Sequence, residues 1–367
     1  MKHAVRVAIL LLPVCLCAAA QEPVELLQKA LAGDSKAQLA LGEDYRLGLG
    51  VAPNPAEALR FYKLAAEQNI PEAQFALAEM YRYGEGGPAD FPEAVRWYRR
   101  AAEQGLAEAQ FNLGVMYDNG QGVARNYQEA VRWYRITAER GMADAEYNLG
   151  LMYASGRGVE QNYAEAARWY RRAADHRDLP EAEYNLGVLY DRGQGVEQDY
   201  AAAARWYQKA AEQGNVEAAF NLGQMYAGGQ GVLHDEGAAA RWYQKAAEQG
   251  QAEAAYNLGV MYAQGQGLRQ DYGEAVHWYR LAAEQGQADA QLNLAALYAG
   301  GRGVDQDYVA AYEWLELAAA AGLRDAANAR EQVARRMTAA QIEQARALAA
   351  GWKACRSTEE CAGRAKR

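Results

Sequence analysis

Side chains able to do chemistry are few in this 367-residue chain, and they are scattered. His176, His234 and His277 stand far apart, without the close spacing that a metal ligand set needs. They read as surface residues, and no metal or cofactor is expected. Beyond the leader, Ser35, Ser155 and Ser357 are the whole serine inventory. None starts a Ser-x-x-Lys motif or sits in a nucleophile elbow, so a serine nucleophile has no frame. The Gly-x-Gly-Val stretches lie between helical patterns and lack a following Lys-Ser or Lys-Thr. They read as turns, not as a phosphate loop. Glu108, Asp144, Glu181, Glu217 and Glu253 fall at helix starts, where they favour the helix dipole and need no catalytic role. These patterns point away from an enzyme.

Cysteine chemistry is confined to the two ends. Cys15 and Cys17 lie in an apolar leader, and Cys355 and Cys361 lie in KACRSTEECAG. The leader, residues 1–20, has a basic start, the run VAILLLPVCLC and the small residues Ala18, Ala19 and Ala20. That order predicts a secretory signal peptide, too short to span a bilayer. Val14 and Leu16, before the leader cysteines, are not the small residue of a lipoprotein signal. Cleavage is expected after Ala20, leaving an exported protein with no membrane insertion. In an oxidising compartment Cys355 and Cys361 are expected to pair; the other reading is two redox-active thiols.

The net charge is −9. Such a balance excludes a non-specific nucleic-acid binder, which neutralises phosphates with clustered Lys and Arg. From Arg324 onward basic residues number ten and acidic residues five, so a basic tail follows an acidic body.

The elements that carry these residues repeat. A-x-x-x-L-G-x-x-Y, a G-x-G-V loop, Asp or Asn, A-x-x-W-Y-x-x-A-A and Gly recur from Ala37, Ala73, Ala109, Ala145, Ala182, Ala218, Ala254 and Ala290. The step is 36 residues, except 37 between the fourth and fifth copies. Ala109, Leu113, Met116 and Tyr117 share one helical face. Gly120 and Gly122 then break the helix. Asn126, Asn162, Asp199, Asp235, Asp271 and Asp307 can cap a second helix, as can Asn54 before Pro55. Gly141, like Gly105, Gly214, Gly250 and Gly286, stops that second helix. Trp97, Trp133, Trp169, Trp206, Trp242, Trp278 and Trp314 fall on its buried stripe. One hairpin buries too little surface to stand alone, so stacking is required.

These LG-x-x-Y, G-x-G-V and A-x-x-W-Y-x-x-A-A elements resemble the Sel-1-like repeats, relatives of the tetratricopeptide repeats. The resemblance covers about residues 37–322. It implies an all-α fold, a right-handed α-solenoid of antiparallel helix pairs in eight repeats, and a scaffolding role, in bacteria often in the envelope. A capping helix is expected in 21–36, closing helices in 323–352 with a capping box at Thr338 and Gln341, and the basic tail in 353–367. Between repeats four and five ADHRDLPEAE replaces AEQGLAEAQ. It reads as a tolerated insertion or as a hinge around 175–180.

A helical wheel puts Phe111 and Val115 about 200° and 240° from Ala109, opposite the core stripe. The Phe111 position recurs as Phe75, Tyr147, Tyr184, Phe220 and Tyr256, and the Val115 position as Leu151, Val188 and Val260. In tetratricopeptide-like stacks the first helix lines the concave face. The resemblance therefore implies a groove of these aromatics flanked by Asp118 and Asp191, suited to a peptide with basic and apolar residues. Packing between repeats is the alternative use of the same stripe. Asn112, Asn148, Asn185, Asn221, Asn257 and Asn293 are expected to bond the adjacent repeat's backbone.

The function expected is a monomeric protein–protein interaction scaffold of the bacterial periplasm, serving cell-wall enzymes or secretion. The alternatives are a secreted or surface factor that binds a host protein, and a penicillin-binding or β-lactamase-like enzyme. The cysteine-rich relatives that suggest the last carry cysteine pairs through their repeats, and this array has none.

Overall fold

The computed structural model describes residues 24–353. The leader cleavage site and the Cys355–Cys361 pairing lie outside them. Among the described residues there are nineteen helices and no strand. Helix α1 (24–31) precedes eight hairpins. Their first helices are α2 (Ser35–Leu47), α4 (Pro71–Tyr83), α6 (Ala107–Asn119), α8 (Ala143–Ser155), α10 (Pro180–Arg192), α12 (Val216–Gly228), α14 (Ala252–Gln264) and α16 (Ala288–Gly300). Their second helices are α3 (Pro55–Glu67), α5 (Phe91–Glu103), α7 (Tyr127–Ala138), α9 (Tyr163–His176), α11 (Tyr200–Glu212), α13 (Glu236–Glu248), α15 (Tyr272–Glu284) and α17 (Tyr308–Ala320). Helices α18 (Arg324–Ala334) and α19 (Ala339–Gly351) pack on α17. The fold is an all-α repeat solenoid. By packing it divides into two compact units, up to His176 and from Arg177, a boundary that falls within the inserted stretch.

Each hairpin is closed by the same local chemistry. The cap residue's N–H donates to the carbonyl of the last tyrosine of the first helix, as in Asn126 to Tyr117 (3.0 Å) and Asp271 to Tyr262 (3.0 Å). Its side chain then accepts from the first turn of the second helix, as Asn126 Oδ1 does from the N–H groups of Gln128 and Glu129. The glycines ending the second helices, such as Gly105 and Gly250, hold φ of 91° and 98°. In the first repeat Asn69 fills that place at φ 66°, a conformation asparagine tolerates better than other residues. The capping box also forms: Thr338 N–H donates to Gln341 Oε1 and Gln341 N–H to Thr338 Oγ1.

In six of the eight hairpins a tyrosine ring of the second helix lies against a glycine of the first and locks the pair, and in the second repeat Ala78 stands opposite Tyr98. A Cβ at Gly150 would lie 2.6 Å from the Tyr170 ring, and one at Gly114 would lie 2.9 Å from Tyr134. Glycine lets the ring lie close against the first helix, while the second repeat accommodates the methyl group of Ala78 opposite Tyr98. In the last repeat both partners change, to Ala295 and Leu315, both buried. The second glycine of G-x-G does more than turn the chain. A Cβ on Gly122 would overlap the Phe91 backbone of the preceding repeat, so this loop is also a docking point between repeats.

The tryptophans do not all behave alike. Trp97 is 1% exposed and Trp169 is 4% exposed, each ring flanked by two guanidiniums, from Arg96 and Arg100 or from Arg168 and Arg172. Trp133, Trp278 and Trp314 are buried too. Trp206 and Trp242, expected in the core, are only half-buried. A single lysine ammonium, from Lys209 or Lys245, lies over each of these rings.

A buried polar ladder joins successive elements. Gln74 Nε2 donates to Ala66 O of the preceding second helix (3.2 Å), and Gln104, thirty residues on, donates to Gln74 Oε1 (2.7 Å). Gln38 with Gln68, and Gln110 with Arg140, make the same rung. In the fourth repeat the rung becomes Glu146, fully buried, which takes Arg172 at 2.9 Å and His176 Nδ1 at 2.8 Å. A carboxylate cannot donate, so Arg172 also supplies the bond to Ala138 O (3.0 Å) that a glutamine would have made.

Candidate polypeptide-binding face

The first helices carry two sets of side chains. Leu113, Met116 and their equivalents point into the core, while the stripe through Phe111 and Val115 is half-buried. Each aromatic of that stripe packs on the tyrosine of its own hairpin's second helix. Phe75–Tyr98, Phe111–Tyr134, Tyr147–Tyr170, Tyr184–Tyr207, Phe220–Tyr243 and Tyr256–Tyr279 have centroids 5.8–6.0 Å apart with tilted planes. Such pairs add to hairpin stability beyond their buried area. One side of each ring is thus spent on packing, and the half-buried rings keep the rest at the surface. Phe220 is the exception at 7% exposed, enclosed with Ala219 and Leu222 in the core, and it offers a partner little.

Among the concavities of the described surface, three lie where two successive first-helix positions meet. One of about 550 Å³ lies between α2 and α4, lined by Leu39, Glu43, Phe75, Glu79 and Tyr83 among others. A second, about 280 Å³, lies between α10 and α12 and includes Tyr184, Val188 and Asp191. A third, about 310 Å³, lies between α16 and α18, with α17 behind it, and is walled by Leu292, Ala295, Ala296, Leu315 and Val333 with Arg336 at its edge. So the structure brings Tyr184, Val188 and Asp191 together, and it places Phe75 in a separate cavity. Val115, Leu151 and Val260 lie half-buried along the same stripe. Asp118 is tied down, 3.6 Å from Arg157 Nη1.

Electrostatically, the floor of this face is made of buried tyrosine hydroxyls. Burial pushes Tyr98 upward, with the hydrogen-bonded Glu79 carboxylate adding to it. Tyr134 and Tyr207 are raised by burial and by the facing Asp118 and Asp191. Tyr243 is pushed up to about 12 by burial, moderated by the Asn257 amide. The recurrent asparagines therefore bond side chains of the neighbouring repeat, not its backbone. Asn148 meets Tyr134, Asn257 meets Tyr243, and Asn112 Nδ2 donates to Glu79 Oε1 at 3.0 Å.

Sequence reasoning missed Glu43, Glu79 and Glu85 on the first cavity and the whole of the third. The signal for the first was present. Repeats one and two hold Ala40 and Ala76 where later repeats hold asparagine, and Glu43 and Glu79 where most hold Val or Leu. Among the described residues no group of His, Cys, Asp and Glu could hold a metal ion, and no helix is long and apolar enough to cross a membrane.

Comparison with known proteins agrees with this architecture. The Sel1 repeat family profile matches eight times, over residues 35–70, 71–106, 107–142, 143–178, 180–215, 216–251, 252–287 and 288–323. A Sel1 repeat protein from Oxalobacter formigenes is 32% identical, with TM-score 0.68, over 91% of this chain and 97% of that one. The uropathogenic Escherichia coli protein c5321, a protective antigen with this repeat fold, is 29% identical, with TM-score 0.56, over 93% of this chain and 96% of that one. No match was found among proteins of curated function.

Proposed function

As the chain belongs to the Sel1 repeat family, whose members are generally protein–protein interaction scaffolds, we propose that it holds partner polypeptide along its first-helix face. One observation carries the reading: the cavities between α2 and α4, between α10 and α12, and between α16 and α18 each fall between neighbouring first-helix positions. On the second helices guanidinium and ammonium groups lie over the tryptophan rings, as Arg132 lies over Trp133. On the first-helix side, half-exposed aromatic rings alternate with amides and carboxylates. A partner gains apolar contact and hydrogen bonds there at little entropic cost, because the rings are already held in place.

The protein acts outside the cytoplasm, in the bacterial envelope. The leader pattern of residues 1–20 supports this, and the similar protein c5321 is a protective antigen. It binds and does not catalyse, since its histidines are dispersed and its serines stand in no nucleophile motif.

A photo-cross-linking residue placed at Val188 or Leu151, in cells of the native host, should give discrete protein adducts. The same residue at Arg132, on the outer side, should give none. Equal labelling from both sides would remove the assignment. Fractionation and the mass of the mature chain test export: a cytoplasmic protein retaining its leader would contradict it. Turnover of a chromogenic β-lactam by the purified chain would overturn the non-catalytic reading.

A further inference from the structure

We infer that the basic segment after Lys353 straps the end of the stack, its Arg356 guanidinium serving as the missing donor of the eighth ladder rung. Arg356 lies outside the described residues, and the surface it meets is described in full. Two buried oxygens at the start of α16 lack a donor there. Gln291 is 2% exposed; its Nε2 donates to Ala283 O at 3.1 Å, while its Oε1 has no hydrogen-bond partner among the described residues. One turn earlier, Gln287 Oε1 is also buried without a partner, although the equivalent Gln251 Oε1 accepts from the Ala254 N–H at 2.9 Å. A buried acceptor left unmade costs free energy, and two at one helix start call for a donor that can serve both.

The third repeat shows which donor fits. There Arg140, thirty residues on from Gln110, donates through Nη1 to Gln110 Oε1 (3.3 Å) and to Gly105 O (2.9 Å). Gln291 and Gly286 are the counterparts of Gln110 and Gly105, but Ala321 stands in the place of Arg140. Ala321 and Gly322 are exposed, so this corner is open at the end of α17. A guanidinium carries five N–H donors in one plane and can serve several oxygens together.

The closing segment already heads for that corner. Arg336 Nη1 donates to the Tyr308 hydroxyl at 3.0 Å, Arg346 meets the Tyr312 hydroxyl, and the Trp352 ring stands edge-on to Trp314 at 6.5 Å. The chain thus climbs along α17 in the direction of α17 itself. Ala321 lies seven residues past Trp314, which is two turns or about 10 Å further on nearly the same face. Trp352 leaves α19 in an extended conformation, with ψ at 145°. Four extended residues at about 3.3 Å each span about 13 Å, which brings Arg356, the first arginine beyond Trp352, to Ala321.

The test uses the full chain and two readouts. A photo-cross-linking residue in place of Ser357, beside Arg356, should form adducts within residues 284–291 or 320–324, mapped by peptide mass spectrometry. Arg356→Gln should speed hydrogen exchange of the Gly322 and Leu323 amides about fivefold, because the turn they close loses its strap. Ala321→Arg supplies a guanidinium from α17 itself, so adding Arg356→Gln to it should change that exchange less than twofold. Both changes are at exposed or terminal positions, and circular dichroism should match the parent. Adducts confined to other parts of the chain, or none, would overturn the strap. So would unchanged exchange in Arg356→Gln, or an equal effect of that change with and without Ala321→Arg.

Discussion

The two compact units solve the same packing problem with different chemistry. In the unit ending at His176, every rung of the buried ladder is polar: Gln38–Gln68, Gln74–Gln104, Gln110–Arg140 and Glu146–His176. In the unit beginning at Arg177 only Glu183–Gln213 survives, at 2.6 Å. Ala219 and Ala255 then replace the acceptor, and Gln249 and Gln285 turn back to their own helices. In the eighth repeat Gln291 returns, but Ala321 stands where its donor would be, and Gln291 Oε1 has no hydrogen-bond partner. The cavities do not follow that split: the second unit holds both the polar cavity of Asp191, Arg192 and Asn221 and the one between α16 and α18, walled mostly by alanine and leucine. The lesson is that the hairpin lock carries the fold in both units. Ladder and cavity positions are therefore free to vary in polarity.

Four measurements would break or sharpen that contrast, all read as shifts in urea or thermal unfolding. The largest effect is expected from the tryptophans. Trp97→Ala, in the first unit, removes a fully enclosed ring and should cost about 3–5 kcal/mol. Trp242→Ala, in the second, removes a half-buried one and should cost about 2 kcal/mol or less. Equal losses would show that exposure does not set the difference.

Next comes the ladder. Gln110→Ala removes the buried bond to the Ala102 carbonyl, which keeps the Gly105 N–H, and the Arg140 contact, and should cost about 1–1.5 kcal/mol. Ala255→Gln in the second unit should be neutral or gain about 1 kcal/mol, since Gln285 already stands at the donor position. A large loss there would mean that the second unit has packed too tightly to admit a rung.

The third is pH. Tyr98 in the first unit and Tyr243 in the second both have pKa values raised above the ordinary 10.0. The folded state holds these protons where the unfolded chain releases them. Their stabilisation is thus complete below pH 10, and it falls as pH rises through the folded values, near 12 for Tyr243. Tyr243 should ionise before Tyr98 in an absorbance titration, because Glu79 faces Tyr98 and an asparagine amide faces Tyr243. Stability unchanged up to pH 12 would contradict the burial of these hydroxyls.

The smallest effect tests the lock itself. Ala295→Gly opposite Leu315 should cost only about 1 kcal/mol, from helix propensity. Gly114→Ala opposite Tyr134 should cost about 1 kcal/mol, because the ring must shift to admit a methyl group as Tyr98 does for Ala78.

Much of this molecule was legible in its residues. Repeat length, helix pairing, caps such as Asn126 and stops such as Gly250 follow from local backbone preferences, and the tryptophan beat marks the second helix. The candidate face was legible only in outline. The stripe through Phe111 and Tyr184 was visible on a helical wheel, but its division between packing and surface was not. That division depends on where the Tyr134 and Tyr207 rings lie, and they come from another helix. Trp206 and Trp242 were misplaced for the same reason: their exposure is set by what neighbouring helices lay over them.

Sequence alone thus determined the unit, its number and its helical register, because those are fixed by interactions within about ten residues. Tertiary structure decided which half of each aromatic stays open, which amide meets which hydroxyl, and that glutamates from two repeats share one cavity. Those outcomes depend on side chains separated by thirty or more positions. Their meeting is a property of stacking and is written in no single repeat.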